Sequence, residues 1–149
     1  MGAIRVIGVH PLEQALVPGD GRIQVYDPAR DVRDGSRFSI FDDPRERGDW
    51  GHWTGAGMTW NARCGACHTT GFTKGLKPDG SYASSFVAPG VTCEACHGDA
   101  SAHAAGGPPP GNARMEDTCR ACHTRRSAID DRFRPGDLFL DHFVPETLD

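Results

Sequence analysis

The six cysteines of this 149-residue chain all fall within three copies of one pattern, in which two cysteines three positions apart are followed directly by a histidine. We name these copies motif one (residues 64–68), motif two (93–97) and motif three (119–123). Two thiols at this spacing can form thioether bonds to the vinyl groups of one haem, and the adjacent imidazole can bind its iron. The pattern therefore predicts three haem c groups. Their attachment residues would be Cys64, Cys67, Cys93, Cys96, Cys119 and Cys122, and their proximal iron ligands His68, His97 and His123.

Other cysteine chemistries fit the pattern less well. An even cysteine count in a short chain is typical of disulfides. A zinc ribbon made from the cysteines of motifs one and two would leave motif three idle and three adjacent histidines unexplained. A thioredoxin-like site needs one such cysteine pair near a βαβ unit, whereas this chain has three pairs in loop-rich sequence. The histidine after each pair therefore favours haem.

Four histidines lie outside the motifs, and three of them are enough to give every iron a second axial imidazole. They are His10, His52, His103 and His142. His103 follows His97 by only six residues, so we expect it to bind the iron of a neighbouring haem. His52, just before motif one, and His142, late in the chain, are the next candidates. His10 is either spare or a ligand to a haem in a neighbouring subunit.

Two methionines and two arginines are further candidates for contacts with haem. Met58 and Met115 can ligate iron and would raise its potential relative to bis-histidine ligation. Because histidine is in surplus, we expect these methionines to fill gaps in the packing instead. Arg125 and Arg126 directly follow motif three, where they would either pair with haem propionates or lie solvated at the surface.

The pattern of apolar residues changes near residue 50. Short β-prone stretches at 4–9, 22–26 and 37–41 are separated by turn-forming sequence, which predicts a small antiparallel meander within a domain of residues 1–49. Residues 42–49 are expected to be a solvated connector. Residues 50–149 are expected to form a trihaem region, mostly irregular, with a short helix ending at each motif. The longest helix is predicted over 113–123, continuing toward Ile129. The expected fold class is a multihaem cytochrome c.

The composition of the chain bears on its core, its partners and its relation to a membrane. With 19 glycines and 11 prolines the chain would struggle to build a large ordinary core, so we expect the haems themselves to serve as core. The formal net charge is −4 and there is no basic run, which disfavours nucleic acid and favours small docking patches for redox partner proteins. No apolar run approaches the ~20 residues of a transmembrane helix.

The first residues do not read as a signal peptide, because Arg5 and His10 interrupt any apolar stretch. Haem is attached to this motif outside the bacterial cytoplasm. We therefore expect a periplasmic or extracellular protein, and we expect this chain to be a mature form or a fragment of a longer precursor.

Several segments together resemble a known family. The segments 60–71, 90–98 with His103, and 119–126 are similar to the multihaem cytochromes often fused to tetratricopeptide repeats. The haem domain of that family is similar to the tetrahaem cytochrome that accepts electrons from hydroxylamine oxidoreductase. The resemblance extends to residues 8–14 and 52–55, and it implies His52, His103 and, less firmly, His142 as ligands. Two features of the family are not in this sequence: a further haem motif with a nearby histidine pair upstream, and the helical repeats.

Three functions follow from these features. The first is electron transfer, either as a carrier or as a subunit that polymerises into an extracellular haem filament. The second is an enzyme with one open haem site acting on a small nitrogen or oxygen species. The third is a structural or sensory domain with haem as core. The histidine surplus favours electron transfer and no enzymatic activity.

Overall fold

The computed structural model describes residues 5–40 and 44–147. Contacts divide the described chain into two compact units. Unit one comprises the described residues up to 65 together with 74–84, and unit two comprises 66–73 and the described residues from 85 onward. The domain boundary expected between residues 49 and 50 stays a prediction. Ile4 of the first predicted strand, Phe41 of the third, and Asp42 and Asp43 of the predicted connector lie outside the described residues.

Unit one is built on a four-stranded antiparallel sheet whose strands follow one another in chain order, in agreement with the expected meander. Its strands are β1 (Arg5–Ile7), β2 (Leu12–Gly19), β3 (Arg22–Asp31) and β4 (Arg37–Ser39). Strand β2 was not expected from the sequence, and β3 runs beyond its expected end at residue 26. The buried side chains of the sheet include Leu16, Val25 and Ala29.

A two-residue turn joins β2 to β3 and sets their register. Asp20 and Gly21 have φ angles of 47° and 74°, so both occupy the left-handed region. An Asp-Gly pair with two positive φ values suits the tight hairpin turn whose twist matches that of antiparallel strands. Gly19 therefore pairs with Arg22, and the ladder continues with a shift in register between Gln14 and Leu16.

Two short helical segments pack onto the sheet within unit one: a 3-10 helix (Ala56–Met58) and helix α1 (Trp60–Arg63). Trp60 is only 2% exposed. Asn61 accepts a hydrogen bond from the backbone N–H of Ile23 at 2.7 Å and donates one to the hydroxyl of Ser84 at 2.9 Å. This buried amide fixes α1 against strand β3 and the 74–84 segment.

The remaining elements are short helices and two-stranded ladders. Strands β5 (Thr69–Thr70) and β6 (Ala88–Pro89) pair antiparallel, as do β7 (Arg126–Ala128) and β8 (Phe143–Pro145). The buried core of unit two consists of Ala121, Phe139 and Phe143, with Phe133 packed against it. The elements are α2 (Gly65–His68), β5 (Thr69–Thr70), β6 (Ala88–Pro89), α3 (Cys93–His97), α4 (Ser101–Ala104), α5 (Met115–His123), β7 (Arg126–Ala128), α6 (Phe139–His142) and β8 (Phe143–Pro145).

The histidine of each motif is the last residue of a helix. Helices α2, α3 and α5 end at His68, His97 and His123, as the sequence led us to expect. The expectation that the third helix continues toward Ile129 is wrong. Thr124 is extended (φ −111°, ψ 138°), and strand β7 then pairs with β8. The chain gains ladder hydrogen bonds there that a longer helix would exclude.

No helix within the described residues is long and apolar enough to cross a membrane.

Candidate haem-attachment sites

Motifs two and three each lie on a single helix. Positions i, i+3 and i+4 of a helix share one face, so the two cysteines and the histidine of each motif project together. In α5 all three of these side chains are exposed: Cys119, Cys122 and His123. In α3 Cys93 and His97 are exposed and Cys96 is half-buried. In motif one Cys64 lies at the end of α1 in helical conformation, and α2 contains Cys67 and His68. None of the six cysteines forms a disulfide.

Motifs one and three meet within unit two through their second cysteines. The thiols of Cys67 and Cys122 are hydrogen-bonded, and this contact lowers the pKa of Cys67 to about 6. The same bond raises the pKa of Cys122, because that thiol acts as the donor. The positive charge of Arg126 also lowers the pKa of Cys67. Two motifs that are distant in sequence are therefore adjacent in space.

The surface of unit two fits an apolar prosthetic group. Its buried apolar core is small, whereas several large apolar side chains of this unit are more than half exposed. Exposed apolar side chains in this number suit a surface that a ligand or partner covers. They are Val87 (80%), Val91 (65%), Ile129 (59%), Leu140 (65%) and Val144 (53%). Paired thiols beside an imidazole supply the bonds that haem c requires, so the residues present fit this group.

The described residues contain no group of ligand side chains for a bare metal ion. Across residues 5–40 and 44–147, no three histidine, cysteine, aspartate or glutamate side chains converge on a point where they would hold one.

His103 is oriented by a backbone carbonyl. It lies in α4, exposed, with Nδ1 3.0 Å from the carbonyl oxygen of Gly107. Only a protonated Nδ1 can donate to that oxygen, so Nε2 keeps its lone pair. Histidines that bind metals commonly donate their other ring N–H to a carbonyl or carboxylate in this way.

His52 lies in unit one beside a loop that the sheet holds in place. Its Nδ1 lies 2.7 Å from the hydroxyl of Thr54 and accepts a hydrogen bond from the backbone N–H of Thr54 at 3.2 Å. The first contact allows a protonated Nδ1, whereas the second requires an unprotonated one. Gln24 of β3, which is 5% exposed, donates to the carbonyl oxygens of Trp53 at 3.0 Å and Gly55 at 2.9 Å.

His142 is held between two carboxylates in unit two. Its Nδ1 lies 2.8 Å from Asp130, and its Nε2 lies 3.5 Å from Asp137. Its side chain is 16% exposed and contacts the ring of Phe133 edge-on at 5.5 Å. The hydrogen bond from His142, followed by those from Arg132, holds the pKa of Asp130 well below its usual range. Asp130 orients the ring as a second partner of a ligand would, while Asp137 competes for the Nε2 atom.

His10 is exposed in the connection between β1 and β2, within unit one. Of the methionines considered as ligands, Met58 ends the 3-10 helix and Met115 begins α5, and both are half-buried.

The two arginines after motif three differ in their contacts. Arg125 forms an exposed ion pair with Glu146 at 3.5 Å, whereas Arg126 contacts both motif one and motif three.

Sequence reasoning missed the residues that support these histidines. Gln24 and Asp130 lie 28 and 12 positions from His52 and His142, and no local pattern marks either one. An aspartate twelve positions before a candidate histidine is unremarkable until β7 and β8 pair and bring the two segments together.

Short helices that each end at the histidine of a Cys-x-x-Cys-His motif, together with a small apolar core, define a multihaem c-type cytochrome. The chain belongs to the family of cytochrome c7 and related cytochromes c, whose family model matches residues 49–124. Membership of that family implies covalently bound haem c. The matched segment contains all three motifs, together with His52 and His103.

Two solved structures share the fold. The outer cell wall cytochrome OcwA is 20% identical with a TM-score of 0.62, and the alignment covers 91% of this chain and 31% of that one. The undecahaem cytochrome from the S-layer of Carboxydothermus ferrireducens is 20% identical with a TM-score of 0.51, covering 90% of this chain and 22% of that one. This chain therefore spans less than a third of either protein. A comparison with curated protein sequences finds no match.

Proposed function

We propose that the chain attaches three haem c groups, one at each motif, and transfers electrons through them. The observation that carries the proposal is that each motif ends a helix at its histidine, while none of the six cysteines is consumed in a disulfide. When bound, haem c supplies an iron that gains and loses one electron. The protein residues attach, orient and shield it.

The proposed proximal ligands are His68, His97 and His123, because each directly follows a pair of attachment cysteines. The proposed distal ligands are His52, His103 and His142. The bond from His103 to Gly107 supports this role most directly, since it leaves Nε2 available. Asp130 supports the role of His142 in the same way.

The contact between Cys67 and Cys122 supports close spacing of the haems at motifs one and three. Such spacing suits a conduit, in which an electron passes between neighbouring groups. We also propose that the chain is related to the tetratricopeptide-associated multihaem cytochromes and that it assembles into a filament. In a filament, the exposed His10 would bind the iron of a haem in the next subunit, in place of one of the three proposed distal ligands.

We place the protein in the periplasm or outside the cell, because c-type haem attachment takes place beyond the cytoplasm. The two structural relatives are described as cell wall and S-layer cytochromes, which agrees with this location. The proposed partners are redox proteins that dock by local patches, and a second copy of this chain in the filament case.

One observation favours a second candidate function. The Nε2 atom of His142, which would bind iron, lies 3.5 Å from Asp137. If this pairing persists in the haem-loaded protein, one iron keeps an open position, and the protein would act as a redox enzyme on a small nitrogen or oxygen species.

Four measurements on the exported, haem-loaded protein separate these functions. Intact mass and pyridine haemochromogen absorbance should give three covalent haems per chain. Low-temperature EPR of the oxidised protein should show only low-spin signals for a conduit. A substantial high-spin signal together with carbon monoxide binding after reduction would favour the enzyme, and fewer than three haems would contradict the proposal itself.

A further inference from the structure

Arg126 links two of the three motifs within unit two. Its Nε donates to the carbonyl oxygen of Ala121, inside motif three, at 2.5 Å. Its Nη2 lies 4.0 Å from the sulfur of Cys67 in motif one. Its guanidinium carbon lies 3.8 Å from the ring centroid of Phe143. The charge is therefore fixed between two sites of haem attachment.

These contacts distinguish Arg126 from the arginine beside it. The guanidinium is held from three directions, and the aromatic ring below it, Phe143, is only 6% exposed. Arg125 is 67% exposed and is ion-paired with Glu146. A fixed charge at a half-buried position interacts more strongly with its surroundings than a charge in water, because the effective dielectric constant is lower.

We propose that Arg126 is a tuning residue shared by motifs one and three, and that its charge raises the reduction potentials of both attached haems relative to the haem at motif two. The inference rests on the proposed attachment of haem at these motifs. One electron arrives from a donor redox protein, no bond is made or broken, and no proton is taken up. A nearby cation stabilises the form that has gained negative charge, so the reduced state is favoured.

The placement of the charge predicts an order of reduction. Among the described residues, the contacts of the Arg126 side chain join it to motif one, motif three and Phe143. The haems at motifs one and three should therefore be reduced before the haem at motif two. Because Cys67 and Cys122 are adjacent, these two haems would lie close together, and an electron that enters the protein would reside on this pair first.

The test is a spectroelectrochemical titration of the haem-loaded protein and two variants, Arg126→Gln and Arg126→Met. The methionine variant keeps an apolar stem against Phe143, which guards against loss of folding. In either variant we expect two of the three one-electron steps to move to lower potential, each by about tenfold in the reduction equilibrium constant, which is about 59 mV for one electron. The third step should not move.

Two controls complete the experiment. Arg125→Gln removes a charge one residue away and should leave all three steps in place, while Arg126→Lys retains the charge and should stay close to the wild type. Unchanged steps, a shift of one step only, or an equal shift of all three would overturn the proposal. Loss of haem from both Arg126 variants would also overturn it, because the residue would then serve folding. Fewer than three haems in the wild type would instead refute the proposed function.

Discussion

The Nδ1 atom of His103 lies 3.0 Å from the carbonyl oxygen of Gly107, four residues further along the chain. The bond fixes the tautomer of an exposed imidazole, which otherwise exchanges its proton between both nitrogens. A neutral ring with its free lone pair on Nε2 is the form that binds iron. The local backbone of His103 therefore suits the role of distal ligand that we propose for it.

Under the proposed ligation of three haems, replacing His103 with alanine should leave one iron without its second imidazole. We expect about a third of the oxidised iron to become high-spin in low-temperature EPR, because a five-coordinate or water-bound iron experiences a weaker ligand field. The matched control is His10→Ala, which removes another exposed histidine and should keep every haem low-spin. The same high-spin fraction in the control would show that His10 is a ligand.

Replacing Gln24 with glutamate should loosen the loop that follows His52. The amide donates to two loop carbonyls, whereas a carboxylate would face them without a hydrogen to donate. Leaving buried polar atoms unsatisfied costs about 1–3 kcal/mol, and we expect the free energy of unfolding to fall by that order. Denaturant titration measures the fall, and EPR should show a new high-spin fraction.

Gln14→Glu is the control for this change. Gln14 also donates from its amide to two carbonyl oxygens, those of Tyr26 and Asp27, but these belong to strand β3 and not to the loop that follows His52. The control should lose some stability and keep its low-spin spectrum. An unaltered spectrum in Gln24→Glu as well would refute a positioning role for Gln24.

Replacing Asp130 with asparagine should alter the haem that His142 is proposed to bind. Asparagine can still accept from the imidazole, so orientation is kept, but the negative charge that strengthens electron donation by the ring is lost. One of the three one-electron potentials should therefore rise. Asp131→Asn, a change of the same charge at the next exposed residue, should leave the potentials in place. Equal titrations for both variants would argue that His142 is not a ligand.

The stability of unit one should depend on pH through Asp31. Hydrogen bonds from Arg33 lower the pKa of Asp31 to about 2. A lowered carboxyl pKa stabilises the folded state above the unfolded value, near 3.9, and this contribution is lost as the pH falls toward 2. Wild-type protein should therefore lose more stability between pH 5 and pH 2 than Asp31→Asn does.

Acid unfolding followed by circular dichroism measures this difference. Asp20→Asn is the control, because asparagine tolerates the positive φ angle of the turn, and the variant should follow the wild type. If Asp31→Asn follows the wild-type pH profile too, the ion pair with Arg33 does not couple to folding.

What could be predicted from the sequence was local. Each motif is contiguous, so its chemistry and its position at a helix end followed from spacing alone. The N-terminal meander followed from turn residues such as Asp20 and Gly21. What could not be predicted depends on contacts between distant segments. The end of α5 at His123 depends on the pairing of β7 with β8, and strand β2 shows no clean alternation because a register shift interrupts it.

The partners of the candidate ligands were hidden for the same reason. Gln24 of strand β3 donates to the loop that follows His52, and Asp130 meets His142 because β7 pairs with β8. The contact of Cys67 with Cys122 joins residues 55 positions apart. Residue types and their spacing along the chain do not reveal contacts between segments so far apart in the sequence.

That same cysteine contact has a consequence for biogenesis. In the folded polypeptide, Cys67 and Cys122 are neighbours although they belong to different motifs. A haem vinyl group could therefore react with a thiol of the wrong motif, and an oxidant could join the two thiols in a disulfide. Haem attachment at the correct cysteine pairs is favoured while the newly exported chain is still extended. We expect chains that fold first to accumulate as a Cys67–Cys122 cross-link, visible by peptide mass mapping, and the maturation machinery to act ahead of folding.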